Sequence, residues 1–187
     1  MKKILGIVVL GLLLSLNAYA AKISDFEVAG MSIGESALKY YSEKKLIDNY
    51  QDWFAPKYSV SEIEEKKDGF DDIQLIYKPN DSEFKIEGIS ALEYMDAKDC
   101  LKKLDDEASS IKGQFTTQEV KFSKKSKKNY PGKGKVTSVK IKFKSDKGVL
   151  IIACYDWSDS YAAKMDYNDN LRFSIRSNTY ATFLNRR

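Results

Sequence analysis

The residues able to do chemistry are few in kind. The chain has no histidine among its 187 residues. That removes Ser-His-Asp and Cys-His nucleophilic sites, histidine general bases and imidazole metal ligands. Two cysteines are present, Cys100 and Cys154, without a Cys-x-x-Cys motif or an imidazole to lower a thiol pKa. They read as one structural pair, with two buried thiols or a redox-active thiol as the alternatives. The 27 acidic residues offer carboxylate pairs for glycoside cleavage, but spacing along the chain does not single one out.

Lysine is the most unevenly placed reactive type. Residues 21–111 hold 12 basic and 21 acidic groups, whereas residues 112–147 hold 12 lysines and only Glu119 and Asp146 as acids. Seven of these lysines fall between positions 121 and 135: Lys121, Lys124, Lys125, Lys127, Lys128, Lys133 and Lys135. They form a candidate site for an anionic envelope component or an acidic protein. The plainer reading is a solvated loop. The run contains no arginine, so bidentate phosphate recognition is disfavoured.

Three smaller patterns carry weaker signals. Gly132-Lys133-Gly134-Lys135 lacks Walker spacing and reads as a turn, so no nucleotide or other cofactor is expected. Asp166-x-Asn168-x-Asn170 matches the start of a calcium loop, but Leu171 stands at the glycine position and Ser177 at the bidentate-acid position. No metal is expected there. Trp157, Tyr161 and Tyr167 with Asp156 and Asp159 could stack on and hydrogen-bond a sugar, although aromatics at a strand end usually pack the core or rim.

The elements that must position these groups can be read from periodicity. Ser32-Ile-Gly-Glu35 fits a capping box, and the spacing predicts a helix from Ile33 to about Tyr50. Trp53, Phe54, Pro56 and Tyr58 break it, and the acidic stretch Ser61 to Asp72 reads as loop or short irregular helix. Ile73–Lys78 and Phe84–Tyr94 form a predicted hairpin with a bulge at Gly88. Asp96 caps a second amphipathic helix over 97–112, ended by Gly113, with Cys100 on its apolar stripe.

Val136–Lys144 alternates and reads as an edge or half-exposed strand. Val149–Trp157, apolar on both faces as far as Tyr155, reads as central. Their register is open. A two-residue turn puts Cys154 on the face of Ile141 and Phe143, and a three-residue turn with Gly148 left-handed puts it on the lysine face. Ser158 to Asn170 is a polar excursion. Leu171, Phe173 and Ile175 then make a last strand, and Ser177 or Asn178 caps a short terminal helix. The sum is an α+β fold: a mostly antiparallel sheet built from hairpins, two main helices on one face, and a short C-terminal helix.

Residues 1–20 have the three parts of a secretory signal peptide: Lys2 and Lys3, an apolar run from Ile4 to Leu16, and Ala18-Tyr19-Ala20 before a cut after Ala20. The apolar run of 13 residues is shorter than the roughly 20 needed to span a bilayer. Export with cleavage leaves a single domain over 21–187 with no transmembrane segment. It lowers the formal charge from +4 to +2 by removing Lys2 and Lys3. The expected location is the periplasm, where nucleic acid is not an available partner. A Cys100–Cys154 bridge there would close a loop worth roughly 3–4 kcal/mol.

Several of these stretches resemble a group of small secreted proteins of uncharacterised function common in streamlined marine alphaproteobacteria. The similar parts are the signal peptide, Gly30-Met-Ser-Ile-Gly-Glu-Ser36, Glu87-Gly-Ile-Ser90, Asp99-Cys-Leu101 and Cys154-Tyr-Asp-Trp157, with the terminal strand and helix. The resemblance implies a shared α+β fold, a lineage and an exported address, and it carries over no activity or site residue. The expectation is therefore an exported, non-enzymatic binding or envelope-associated module. The alternative is a periplasmic hydrolase using carboxylates or a Ser/Lys pair.

Overall fold

A computed structural model describes residues 21–186; the signal peptide reading concerns residues 1–20 and lies outside them. Nine strands form one antiparallel sheet: β1 (Tyr50–Gln51), β2 (Ser59–Lys67), β3 (Phe70–Tyr77), β4 (Ile86–Tyr94), β5 (Val120–Phe122), β6 (Ser126–Tyr130), β7 (Gly134–Phe143), β8 (Val149–Trp157) and β9 (Asn170–Arg176). Their spatial order is β1-β2-β3-β4-β9-β8-β7-β5, with β6 also paired to β7. The helices are α1 (Glu43–Asp48), α2 (Ala97–Lys112), α3 (Asp159–Met165) and α4 (Asn178–Leu184). The fold is α+β, as the hairpin pattern predicts.

Two meanders, β1–β4 and β5–β9, are separated in sequence by α2. They become one sheet because β9 returns to lie between β4 and β8. The face that packs on α2 carries the main core, including Ile73, Leu75, Ile89, Ile152 and Phe173 from the strands and Leu104 from the helix. Such a continuous apolar layer supplies most of the driving force for folding. Asp96 caps α2 by accepting from the amides of Lys98 at 3.0 Å and Asp99 at 3.1 Å, and Gly113 follows its last turn.

Cys154 lies on the α2 face and forms a disulfide with Cys100, with Cα atoms 5.8 Å apart. The open register of β7 and β8 resolves accordingly. Thr137 pairs with Cys154 and Ile141 with Leu150, so Cys154 shares the face of Ile141 and Phe143. The left-handed residue in the connection is Lys147, not Gly148. β7 is no edge strand, since β5 and β6 cover its outer side in turn.

Two expectations for the N-terminal half fail. No helix runs from Ile33 to Tyr50. The Ser32 amide does donate to Glu35 Oε2 at 3.0 Å, but Gly34 is left-handed at φ +91° and its amide donates to the Ile86 carbonyl at 2.8 Å. Residues 34–37 thus lie alongside the entry to β4, and a 3-10 turn over Ala37–Lys39 and the six-residue α1, capped by Ser42, follow. The acidic stretch from Ser61 to Asp72 is also not a loop. It is the β2–β3 hairpin, turned by Asp68 (φ +52°) and Gly69 (φ +88°) with Lys67 paired to Phe70. Asp-Gly with both φ positive is the two-residue turn that hairpins favour.

The bulge expected at Gly88 is present: Ile76 pairs with Gly88 and Tyr77 with Ile86, leaving Glu87 extra. The glycine itself serves a different need. A Cβ there would stand 2.8 Å from the Tyr180 ring, so its absence lets α4 seat Tyr180 against β4. Tyr180 packs with Tyr58, Val60 and Ile76 on the face opposite α2. This small second core covers one corner of that face and leaves the opposite end of the sheet to other residues.

Candidate functional site

The uncovered end of the second face is built from alternate residues of five strands. In one row across the sheet Glu62, Gln74, Ser90 and Ser174 stand opposite one another. In the next row stand Glu64, Asp72, Leu92, Arg172 and Ala153. Tyr94, Asn170 and Tyr155 make a third. Each polar residue alternates with a core residue of the α2 face, such as Ile63, Ile73 or Leu171, so the pleat alone directs them away from the core.

Of these, Glu62, Glu64, Asp72, Gln74, Asn170 and Arg172 floor a cleft of about 480 Å³ whose walls are Trp53, Tyr94, Tyr155, Trp157, Met165 and Tyr167. That volume suits a small-molecule site, and the lining joins these mostly aromatic walls to a floor of charged and polar side chains. Of the eight large apolar side chains well exposed among the described residues, Trp53, Tyr94, Met165 and Tyr167 stand at this cleft. The other four are Leu38, Ile47, Tyr50 and Tyr130. The Trp157 ring lies 5.3 Å from Tyr155 and 5.4 Å from Tyr167. Its amide donates to Asp169 Oδ1 at 2.7 Å, which ties the end of β8 to the α3–β9 connection.

The floor and the serine pair beside it are only partly hydrogen-bonded. Gln74 Nε2 donates to Glu62 Oε1 at 2.7 Å, and the hydroxyls of Ser90 and Ser174 pair at 2.8 Å. The Arg172 guanidinium lies over the Tyr155 ring, 4.6 Å from its centroid, a cation–π arrangement. Four buried side-chain polar atoms among the described residues have no hydrogen-bond partner. Three of them, Asp72 Oδ1, Asn170 Oδ1 and Arg172 Nε, belong to this cleft. Buried polar atoms are nearly always paired, and each exception calls for a reason.

Burial, and next the neighbouring Glu62, push the Asp72 carboxyl up to about 7 from an ordinary 3.8. Burial and the nearby carboxylates, Asp72 foremost, raise the Tyr94 hydroxyl to about 12. A carboxyl whose folded pKa is raised adds stability that is complete below its unfolded value and is lost as pH rises through its folded value. The window for Asp72 therefore runs from about pH 4 to about pH 7. Asp72→Asn has no such proton to lose. Between about pH 4.5 and pH 8 the urea midpoint of the parent should fall relative to that of the variant. A gap that does not change with pH would contradict this assignment.

The sites marked in the sequence are distributed differently. Trp157 and Tyr167 line the cleft, whereas Tyr161 stacks behind Trp157 at 5.6 Å, and Asp156 and Asp159 are not among the lining residues. Asn170 begins β9 and faces the cleft. Asp166 and Asn168 belong to the connection before it, and Asn168 uses its carbonyl to accept from Asn170 Nδ2 at 2.9 Å. No group of three or more Cys, Asp or Glu able to hold a metal occurs among the described residues.

The lysine run forms the β6–β7 hairpin and its approach instead of a loop. Lys121 is in β5, Lys124 and Lys125 precede β6, Lys127 and Lys128 lie within it, Lys133 is in the turn and Lys135 in β7. Lys127 and Lys128 point to opposite faces. Lys125 pairs with Asp105 of α2 at 2.5 Å and Lys135 with Asp156 at 2.8 Å, while Lys128 and Lys133 lie over the rings of Tyr130 and Tyr161.

The floor residues Glu62, Asp72, Gln74 and Arg172 were not selected from the sequence. Their signal is alternation of polar with core residues over 62–64 of β2, 72–74 of β3 and the whole of β9. No family model, no curated protein and no solved structure matches this chain. No helix among the described residues is long and apolar enough to cross a membrane.

Proposed function

We propose that the protein is exported to the periplasm, has no catalytic activity of its own, and binds a small polar ligand in the cleft at the end of β8 and the start of β9. One observation carries this reading: of the four unpartnered buried polar atoms among the described residues, three belong to side chains that line a single aromatic-walled cleft. A chain that kept these groups for stability alone would bear the desolvation cost of each without return. The signal-peptide pattern of residues 1–20 supports the location, and a Cys100–Cys154 bridge suits an oxidising compartment.

A library of small polar metabolites, read by tryptophan fluorescence of the parent and of Tyr167→Ala, tests the site. Saturable binding that the variant weakens supports the reading. Hits indifferent to Tyr167 would place binding elsewhere. N-terminal sequencing of the protein from a periplasmic extract tests the address, with Ala21 as the expected first residue.

The hydrolase alternative draws on one specific feature, the Asp72–Glu62 carboxyl pair with Asp72 titrating near 7. A carboxyl raised in this way is a usual general acid. Turnover in a broad hydrolase screen that Asp72→Asn abolishes would replace the binding reading with this one.

The lysine hairpin gives the protein a means of associating with an anionic envelope component. All five residues of β6 are exposed. Replacing Lys124, Lys125, Lys127 and Lys128 by Gln should bring elution from a heparin column to lower salt, because each removed cation weakens a screened, long-range attraction. Unchanged retention would remove this hairpin from any such role.

A further inference from the structure

We infer that the ligand of the cleft is a neutral saccharide, a conclusion that rests on the cleft being a ligand site and adds the class of molecule it takes. The argument begins with the signs of the unpartnered groups. Asn170 Oδ1 is an acceptor and Arg172 Nε a donor. Asp72 Oδ1 accepts when the carboxyl is ionised and can donate when it is protonated. An ammonium ligand brings donors only and leaves Arg172 Nε unmatched. A carboxylate or phosphate brings acceptors only and leaves Asn170 unmatched. A hydroxyl is both donor and acceptor, and adjacent hydroxyls on one ring can meet all three groups.

The walls and the charge point the same way. Tyr155, Trp157 and Tyr167 form a continuous bank of rings, and Trp53 and Tyr94 face the cleft from its rim. Such surfaces suit a flat ring with apolar C–H faces and a polar edge, since aromatic rings present a negative face to positively polarised hydrogens. Glu62, Glu64 and Asp166 line the cleft against Arg172 as its one cation, so an acidic sugar is repelled. The Arg172 guanidinium already occupies the Tyr155 ring, which takes from a cationic ligand the face it would use.

The three unpartnered atoms are closed to solvent. Binding therefore requires the floor of the cleft to open; Trp53, Tyr94 and Tyr167 stand exposed at its rim.

The test is a titration of the purified protein with cellobiose, maltose and N,N′-diacetylchitobiose, alongside choline and glucuronate as cationic and anionic controls. Tryptophan fluorescence and calorimetry report binding. At least one neutral disaccharide should bind saturably, and Trp53→Ala and Tyr167→Ala should each weaken it at least tenfold. Both substitutions are at exposed rim positions, and an unchanged circular dichroism spectrum and unfolding midpoint establish that the fold survives them. Binding of choline or glucuronate that the same variants weaken, with no neutral sugar bound, would overturn the saccharide class and leave the cleft a ligand site. Sugar binding that neither variant alters would overturn both statements. No saturable response to any of the five probes would overturn the saccharide class.

Discussion

Replacing Cys100 and Cys154 together by alanine should lower the unfolding free energy by about 4 kcal/mol, the loss expected for opening a closed loop of this size. The bridge spans 54 residues of sequence and ties α2 to β8. It joins the helix to the second meander, to which β5, β6 and β7 also belong. Both sulfurs are buried in the main core, so alanine leaves no unpaired polar atom and the change reads mainly as lost cross-linking. With a denaturant slope of about 2 kcal/mol per molar, the urea midpoint should fall by about 2 M. A fall under about 0.5 M would mean that packing of Leu104 and Ile111 already holds α2. Thiol labelling of the denatured parent without reductant should find neither cysteine free.

The second large effect is expected at Gly134. This residue has φ +134°, a backbone conformation that only glycine adopts readily. A Cβ there would stand 2.2 Å from the Asp156 carbonyl oxygen and 2.7 Å from the Trp157 Cα. Both are backbone atoms and cannot swing away. Gly134→Ala should therefore cost roughly 3 kcal/mol, combining backbone strain with overpacking. The displaced segment is the end of β8, which carries Trp157 into the cleft. The same substitution should shift the tryptophan emission and weaken ligand binding, whereas a variant with parental stability and emission would show that β8 absorbs the clash. Gly132-Lys-Gly-Lys135, read from sequence as a turn, thus also sets the wall of the site.

Much of the fold was legible because it is local. Helix α2 runs as read from Asp96 to Gly113, and β8 has the bounds expected for a central strand. The terminal strand and Ser177-capped helix are also where their patterns place them. The failures are local patterns overridden by pairing. Ser32 to Glu35 makes its hydrogen bond, yet β4 captures the backbone that a helix would have used. In β2 the acidic residues obscured a strand whose alternation, Ser61 and Ile63 against Glu62 and Glu64, becomes clear once each face has a neighbour.

The cleft was the least legible part, for a physical reason. Its floor exists only because β9 inserts between β4 and β8, which brings Arg172 beside residues about 80 to 100 positions earlier in the chain. No spacing within one segment reports such a pairing. Trp157 and Tyr167 could be marked because they are near neighbours in sequence. Asp72, Gln74 and Glu62 look like ordinary solvated polar residues until the register aligns them. The segregated lysines drew attention because charge is visible in composition, whereas a shared strand face is not.

The central claim is that ligand binds at the cleft and not at the lysine hairpin. Amide chemical shifts of the isotope-labelled protein, followed as N,N′-diacetylchitobiose, maltose or cellobiose is added, test it most directly. The account predicts shifts concentrated at Trp53, Gln74, Tyr94, Trp157, Asn170 and Arg172, with residues 121–135 unmoved. Shifts confined to residues 121–135, or scattered with none at the cleft, would contradict it.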